Sequence, residues 1–408
     1  MKNPETLIET IFSKDTELVD GTDEIFELEL AKREYDCLSK DELIRRSAYF
    51  KSVNGQETIH YRSCNLQNLE AIHKNSSFRT KMFFLSGKYS TGYATHSLFP
   101  YRGKFHPQFI RALLNISGIK PGDTVLDPMA GSSTLAVEAN LLGIDAISVD
   151  LSPFCTLMGK VKTFSLDLDI NLLQDIYSDW KIVFSNLHVN KYPPTFLQNE
   201  NSTKKPYFEI GLLAYLDAVG FSLRSSTPVE SLFPRVLERY LQTIVSFDSV
   251  RKELNLIIGK SKIVEGDVLN LEIQDESIDA IITSPPYSFA IDYVKNDQKQ
   301  LEYLNVEIQK LRNGMIGLQG KGIENRLAMY FENMKRAFFE MHRVSKKGAH
   351  VIMIIGTNEI QTKGAKLEPE IITIAKDNNF IFDYFLNKPI KGMNNSMKSE
   401  TILFFRKK

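Results

Sequence analysis

Residues 124–150 read TVLDPMAGSSTLAVEANLLGIDAISVD, and the fold turns on this stretch. Thr124 to Leu126 is a short apolar run that stops at Asp127-Pro128, as a buried strand does. Ser132 to Leu142 follows with Leu135, Ala136, Ala139 and Leu142 at helical spacing. Gly143 stands where a helix C-cap belongs. Ile144 to Val149 is a second strand, ending at Asp150. Strand, helix and strand make one βαβ unit, the building block of a doubly wound parallel sheet.

In such sheets ligands bind beyond the carboxyl ends of the strands. The loop Asp127–Thr134 is therefore a candidate cofactor loop. Gly131 lets the backbone approach a ligand closely, and Ser132 and Ser133 can cap the helix. Asp127 offers a carboxylate to a cationic amino group. Asp150, about twenty residues on, suits paired bonds to ribose hydroxyls. The loop lacks the GxGxxG pattern, which disfavours a nicotinamide cofactor.

Outward from this unit the pattern breaks. Residues 156–258 contain Pro193-Pro194, a polar stretch and several helical segments, among them Val236 to Val245 after Phe233-Pro234. They read as an insertion. The α/β pattern resumes with strands at Lys262–Val264 and Asp279–Thr283. A helix at Asn333–Arg343, a turn at Lys346-Lys347-Gly348 and a strand at Ala349–Ile355 come next. A helix at Pro369–Lys376 and a closing hairpin, Ile381–Phe385 with Thr401–Phe405, complete the series. The expected organisation is an N-terminal region over 1–90, a catalytic α/β domain from 91–155 and 259–408, and a largely helical insertion, 156–258, as a possible target-recognition region.

The strand Ala280–Thr283 ends in Ser284-Pro285-Pro286-Tyr287. Neither proline offers an N–H to a ladder, and each ring fixes φ, so this is a rigid corner at the same sheet edge. Its residue types suit one problem. The exocyclic amine of cytosine or adenine is a poor nucleophile, its lone pair delocalised into the ring. The Ser284 oxygen and the Pro285 carbonyl can each accept an N–H bond and aim that lone pair at a methyl donor, with Tyr287 stacked on the base. Such alignment contributes up to about 7–11 kcal/mol in the best intramolecular reactions.

Composition is compatible with an enzyme of ordinary solubility: 43% hydrophobic, 25% charged and net charge zero. The acidic N-terminus lacks a signal-peptide pattern and no apolar run reaches membrane length, so a cytoplasmic location is expected and no membrane partner. The three cysteines are scattered and no histidine spacing suits a ligand set, so no metal is expected. Charge is uneven. Residues 74–122 carry eight basic residues and no acid, and 78–109 interleave nine aromatics with them. This combination suits unpaired bases, although at least half of those rings are expected in the core.

The quoted motifs resemble those of the amino-group DNA methyltransferases. Asp127-Pro128-Met129-Ala130-Gly131-Ser132-Ser133-Thr134 is similar to their DPFxGSGT cofactor motif, with Met129 for phenylalanine and Ser133 for glycine. Ser284-Pro285-Pro286-Tyr287 resembles their (D/N/S)PP(Y/F/W) motif, in which serine is typical of N4-cytosine members. The segment His96–Pro107 resembles the one that precedes the first motif. The resemblance implies a Rossmann-like methyltransferase fold and S-adenosyl-L-methionine as cofactor. It implies that Phe105, Asp127, Pro128, Met129, Ala130, Gly131, Ser132, Thr134, Asp150 and Asp267 hold that cofactor, and that Ser284, Pro285, Pro286 and Tyr287 are catalytic. DNA is the implied partner, a cognate restriction endonuclease a further one, and Arg102 and Lys104 are expected DNA contacts. The alternatives are an N6-adenine DNA enzyme, an RNA guanine-N2 enzyme and a non-catalytic nucleic-acid-binding subunit.

Overall fold

The computed structural model describes residues 4–22, 24–85, 91–101, 103–189, 202–286, 292–356, 362, 364–390 and 399–408. Tyr287 and Arg102, two of the expected site residues, lie outside them. Near the N-terminus β1 (Thr16–Leu18), β2 (Phe50–Val53) and β3 (Gln56–Glu57) form a small antiparallel sheet. Its core is continuous with one face of the large sheet: Phe26, Leu30 and Phe50 pack in one cluster with Phe109, Val125 and Ile282. The buried carboxylate of Glu34 accepts bonds from the Ala48 N–H (2.9 Å) and Asn115 Nδ2 (2.6 Å). Arg46 Nε donates to Asn115 Oδ1 (2.9 Å). The N-terminal residues are thus joined to the helix Pro107–Ile116 by polar bonds as well as apolar contact.

The large sheet holds β4 (Thr124–Asp127), β5 (Asp145–Asp150), β6 (Ser261–Glu265), β7 (Ile278–Thr283), β8 (Ser345–Gly356), β9 (Phe380–Pro389) and β10 (Ser399–Lys407). Their order is β6-β5-β4-β7-β8-β10-β9. β4 to β8 pair parallel, and β10 runs antiparallel between β8 and β9. Helices cover both faces, and the fold is the expected Rossmann-like α/β architecture. The βαβ unit reads as expected: Val125, Leu126 and the helix Thr134–Leu141 are buried, and Gly143 takes φ +72 at the helix end. The chain winds outward from β4 to β6 and then returns to β7 on the other side of β4. Loops after β4 and β7 therefore splay apart, and a crevice opens at their carboxyl ends.

Two expectations about local structure are corrected. Lys346-Lys347-Gly348 is not a separate turn: the helix Ile323–Val344 runs directly into β8, and the positive φ of Gly348 coincides with a register shift between β7 and β8. A glycine at positive φ serves a bulge as readily as a turn. The helix expected to follow Pro234 spans Val229–Glu253 with Pro234 inside it. Leu232, Phe233, Val236, Leu237 and Tyr240 form one buried stripe across the proline. Their burial outweighs the missing backbone bond.

The described residues of 156–258 are largely helical, as expected. The helices Ile170–Tyr177, Trp180–Val189, Lys205–Ser225 and Val229–Glu253 pack with the helix Pro153–Phe164. Their cluster also takes in Leu98, Phe99, Val294, Leu301 and Leu311. This block of helices thereby braces the chain segment that follows β7.

Candidate active site

A cavity of about 330 Å³ occupies the crevice between the β4 and β7 ends. One side is made by strand-end loops. Pro128, Met129, Ala130, Gly131 and Ser132 line it after β4; Asp150, Leu151 and Ser152 after β5; Gly266, Asp267 and Val268 after β6. Ser284 and Pro286 line it after β7. Phe105 and Lys104 approach from the segment before the first motif. The two motifs, more than a hundred residues apart in the chain, therefore share one cavity.

The loop and its partner acid are locked to each other. Gly131, at φ +49, turns its N–H to Asp150 Oδ2 at 2.7 Å, and Ser152 N–H donates to Oδ1 at 2.8 Å. Each oxygen of Asp150 keeps lone-pair capacity on the cavity side. Burial raises the Asp150 carboxyl above its ordinary value, against these two bonds. Asp267 Oδ1 accepts the Leu269 N–H at 2.9 Å and faces the cavity from the end of β6.

Ser133, the departure from glycine, also has positive φ (+55). Its hydroxyl does not reach the cavity. A Cβ on Gly159 would lie 2.3 Å from Ser133 Oγ, so Gly159 leaves the space that Ser133 fills. The larger residue is accommodated behind the loop and does not narrow the approach to a ligand. It also makes no capping bond, contrary to the expectation from sequence.

Three further expected residues stand elsewhere than on the wall, and a fourth, Lys104, is on it with its ammonium engaged elsewhere. Asp127 is wholly buried behind the loop, where its Oδ1 accepts the Thr283 hydroxyl at 2.7 Å and the Met129 N–H at 3.2 Å. Burial pushes its carboxyl up to about 7. It ties the end of β4 to the end of β7 and presents no charge to the cavity. Thr134 is buried on the first turn of its helix, 3.1 Å from the Ser132 hydroxyl. Pro285 is buried beneath the corner whose half-buried edges, Ser284 and Pro286, line the cavity. Lys104 lines the cavity, but its ammonium donates to the carbonyls of Thr91 and, at 3.1 Å, His96, and burial holds its pKa well below the ordinary value. Its ammonium is an internal tether of this loop rather than the free cation that the expected DNA contact calls for. Arg111, counted in the same basic stretch, is likewise buried against Glu138 at 2.8 Å.

The opposite side of the cavity was not read from sequence. Tyr293, Val294, Asp297, Leu301, Leu311, Gly314, Met315 and Ile316 form a helical cover, and Tyr101 and Cys155 complete it. Lys388 and Glu400, which pair at 2.5 Å across the β9–β10 hairpin, stand at its edge. Two of these residues had a sequence signal: Tyr101, in the segment before the first motif, and Tyr293, at the end of the stretch after Ser284-Pro285-Pro286-Tyr287 that resembles the continuation of the catalytic loop. Beyond Tyr293, the short helices Tyr293–Asn296, Gln298–Tyr303 and Ile308–Gly314 carry no motif. Of the nine aromatics over 78–109, Phe84, Tyr93, Phe99, Tyr101 and Phe109 are core, in line with expectation, while Phe78 is exposed.

The donor set fits a nucleoside-containing, cationic ligand. Carboxyl groups face the cavity from Asp150, Asp267 and Asp297, and Pro128, Met129, Val268 and Ile316 supply apolar walls for a ring. Among the described residues no group of three or more His, Cys, Asp or Glu is placed to hold a metal ion, and no helix is long and apolar enough to cross a membrane.

The profile of the RMKL-like methyltransferase domain matches residues 97–179, which include the first motif and Asp150. Type II methyltransferase M.BsoBI of Geobacillus stearothermophilus is 23% identical over 301 residues, 60% of this chain and 59% of its own length. Type II methyltransferase M.MjaII of Methanocaldococcus jannaschii is 27% identical over 165 residues, 39% of this chain and 31% of its own. A tRNA (guanine(10)-N2)-dimethyltransferase of Methanothermobacter thermautotrophicus is 38% identical over 53 residues, 13% of this chain and 16% of its own. The chain thus spans less than two thirds of each relative, and what it shares with all of them is similarity to methyltransferases.

Proposed function

We propose that the chain is an S-adenosylmethionine-dependent methyltransferase acting on the exocyclic amine of a base in DNA, with N4 of cytosine as the target atom. One observation carries the reading: a single cavity is bounded by the Gly131–Asp150 lock on one side and by Ser284 and Pro286 on the other. A site for a nucleoside cofactor next to a rigid polar corner is what amine methylation needs. Similarity to two Type II methyltransferases favours DNA as the polymer.

When bound, S-adenosylmethionine supplies an electrophilic methyl group on a sulfonium. The chain supplies placement. Asp150 accepts hydroxyl bonds, Asp267 accepts an amino bond, and Phe105, Met129 and Val268 enclose a ring. Ser284 Oγ and the Pro285 carbonyl accept the two N–H bonds of the target amine and direct its lone pair, and Tyr287 stacks on the base. The base leaves its helix to enter the cavity. The reading includes a cytoplasmic restriction-modification role with a cognate endonuclease, and target recognition by the helices of 156–258.

Mass spectrometry of nucleosides tests this directly. DNA treated with the protein and isotopically labelled cofactor is expected to yield labelled N4-methylcytosine. Labelled N6-methyladenine would move the target to the other amine. Label appearing only in N2-methylguanine of RNA, the activity named for the tRNA relative, would overturn DNA as the substrate.

A further inference from the structure

We infer that Asp297 is the counter-charge for the cationic end of the cofactor, binding its ammonium or sulfonium; this rests on the methyltransferase reading above. Asp297 stands in the break between the helices Tyr293–Asn296 and Gln298–Tyr303. It occupies the N-cap position of the second helix, where aspartate ordinarily bonds a backbone N–H. Its side chain makes no such bond. It turns into the cavity, and its Oδ2 accepts the Tyr101 hydroxyl at 3.3 Å.

The other acids near the cavity are committed. Asp127 is behind the loop and bonded to Thr283. Asp150 has a backbone N–H on each oxygen. Asp267 is bonded to the Leu269 N–H, and Glu400 is paired with Lys388. Among the described residues, Asp297 has a single neutral hydroxyl as its hydrogen-bond partner and no cation within ion-pair reach. A half-buried carboxylate in that position is costly unless something charged meets it. Burial pushes its carboxyl up to about 7, and the Asp150 charge adds to that. A cationic ligand reverses both effects. Cofactor selection then has a physical basis in this chain: the same nucleoside without its positive charge leaves Asp297 unmet.

Isothermal titration of the full chain separates the possibilities. The titrants are S-adenosylmethionine and 5′-methylthioadenosine, which keeps the nucleoside but has a neutral sulfur and no amino-acid group. Asp297→Asn is expected to weaken S-adenosylmethionine at least tenfold and to leave 5′-methylthioadenosine within twofold. Equal losses for both, or no loss, would overturn the assignment. If the unaltered protein binds neither compound, the cofactor reading itself fails, and that result is distinct from a wild-type protein that binds both while the variant changes nothing.

A pH profile gives a second readout that a structural role would not move. The groups facing Asp297 are Tyr101 from the loop before β4, Asp150 from β5, Cys155 from the helix Pro153–Phe164 and Tyr293 from the preceding helix. Binding a cation requires Asp297 ionised, so affinity for S-adenosylmethionine is expected to rise between pH 6 and 8. The rise is expected to be shallower in Asp297→Asn and shifted to higher pH in Tyr101→Phe, which keeps the carboxyl but removes the bond that favours its charge. A wild-type affinity that falls or stays level over that range would refute the proposal even if Asp297→Asn cannot be purified folded.

Discussion

The two walls of the cavity are built on different principles. The strand-end wall is held by hydrogen bonds to strand-end carboxylates: Gly131 N–H and Ser152 N–H to Asp150, Leu269 N–H to Asp267, and the Thr283 hydroxyl to Asp127. Each carboxylate stands at or just beyond the end of a strand of the same sheet. The helical cover has two polar bonds to the neighbouring helices, Gln300 Nε2 to the Leu216 carbonyl at 3.4 Å and the Tyr303 hydroxyl to the Leu187 carbonyl at 2.6 Å, and is otherwise held by apolar packing. Val294, Leu301 and Leu311 are placed by apolar contact with the block of helices from 156–258. The strand-end wall is therefore rigid by local geometry, and the cover is positioned by long-range packing. Chemistry concentrated on the rigid wall tolerates little displacement, whereas a cover held by packing transmits changes in stability to the cavity.

The largest expected effect is at the corner. Ser284→Ala is expected to lower methyl transfer about 10²–10³-fold, by analogy with removal of one positioned polar group from an active site, with the cofactor dissociation constant changed less than twofold. Single-turnover rates and calorimetry check the two halves of that statement, and an unimpaired rate would remove Ser284 from the chemistry. Leu301→Ala is next. Leu301 is 1% exposed, and truncation of such a leucine costs about 2–5 kcal/mol. It is expected to lower thermal stability and cofactor affinity together; a loss of stability alone would mean that the cover is not coupled to the cavity. Asp150→Ala is expected to weaken the cofactor by about 1.5–3 kcal/mol through lost charge-assisted bonds, with a smaller change in melting temperature than Leu301→Ala. If the two variants instead behave alike, the distinction between the walls does not hold.

Much of the strand-end wall was legible in the sequence because its determinants are local. A strand that ends at Asp127-Pro128, a glycine four residues on and a second strand that ends at Asp150 follow from apolar runs and turn residues. The register of Ser284 on the neighbouring strand end follows from Ala280–Thr283 in the same way. Asp127 shows where this reasoning stops. Its position in the motif was correct, but whether its carboxylate faces a ligand or the interior depended on Thr283, 156 residues away. Lys104 is similar: its charge was visible, while its use on the carbonyls of Thr91 and His96 depended on how the loop folds back.

By itself, then, the sequence determined the strands of the large sheet, the two corners and the acids at or just beyond the ends of β5 and β6, since alternation, proline and glycine act over a few residues. Only the tertiary structure decided that the two corners share one cavity, that Gly159 makes room for Ser133, and that Asp297 completes the far wall. Those outcomes depend on strand order and on helices meeting across the chain. No local pattern encodes them, because the contacts that fix them are between residues far apart in sequence and exist only once the core has packed.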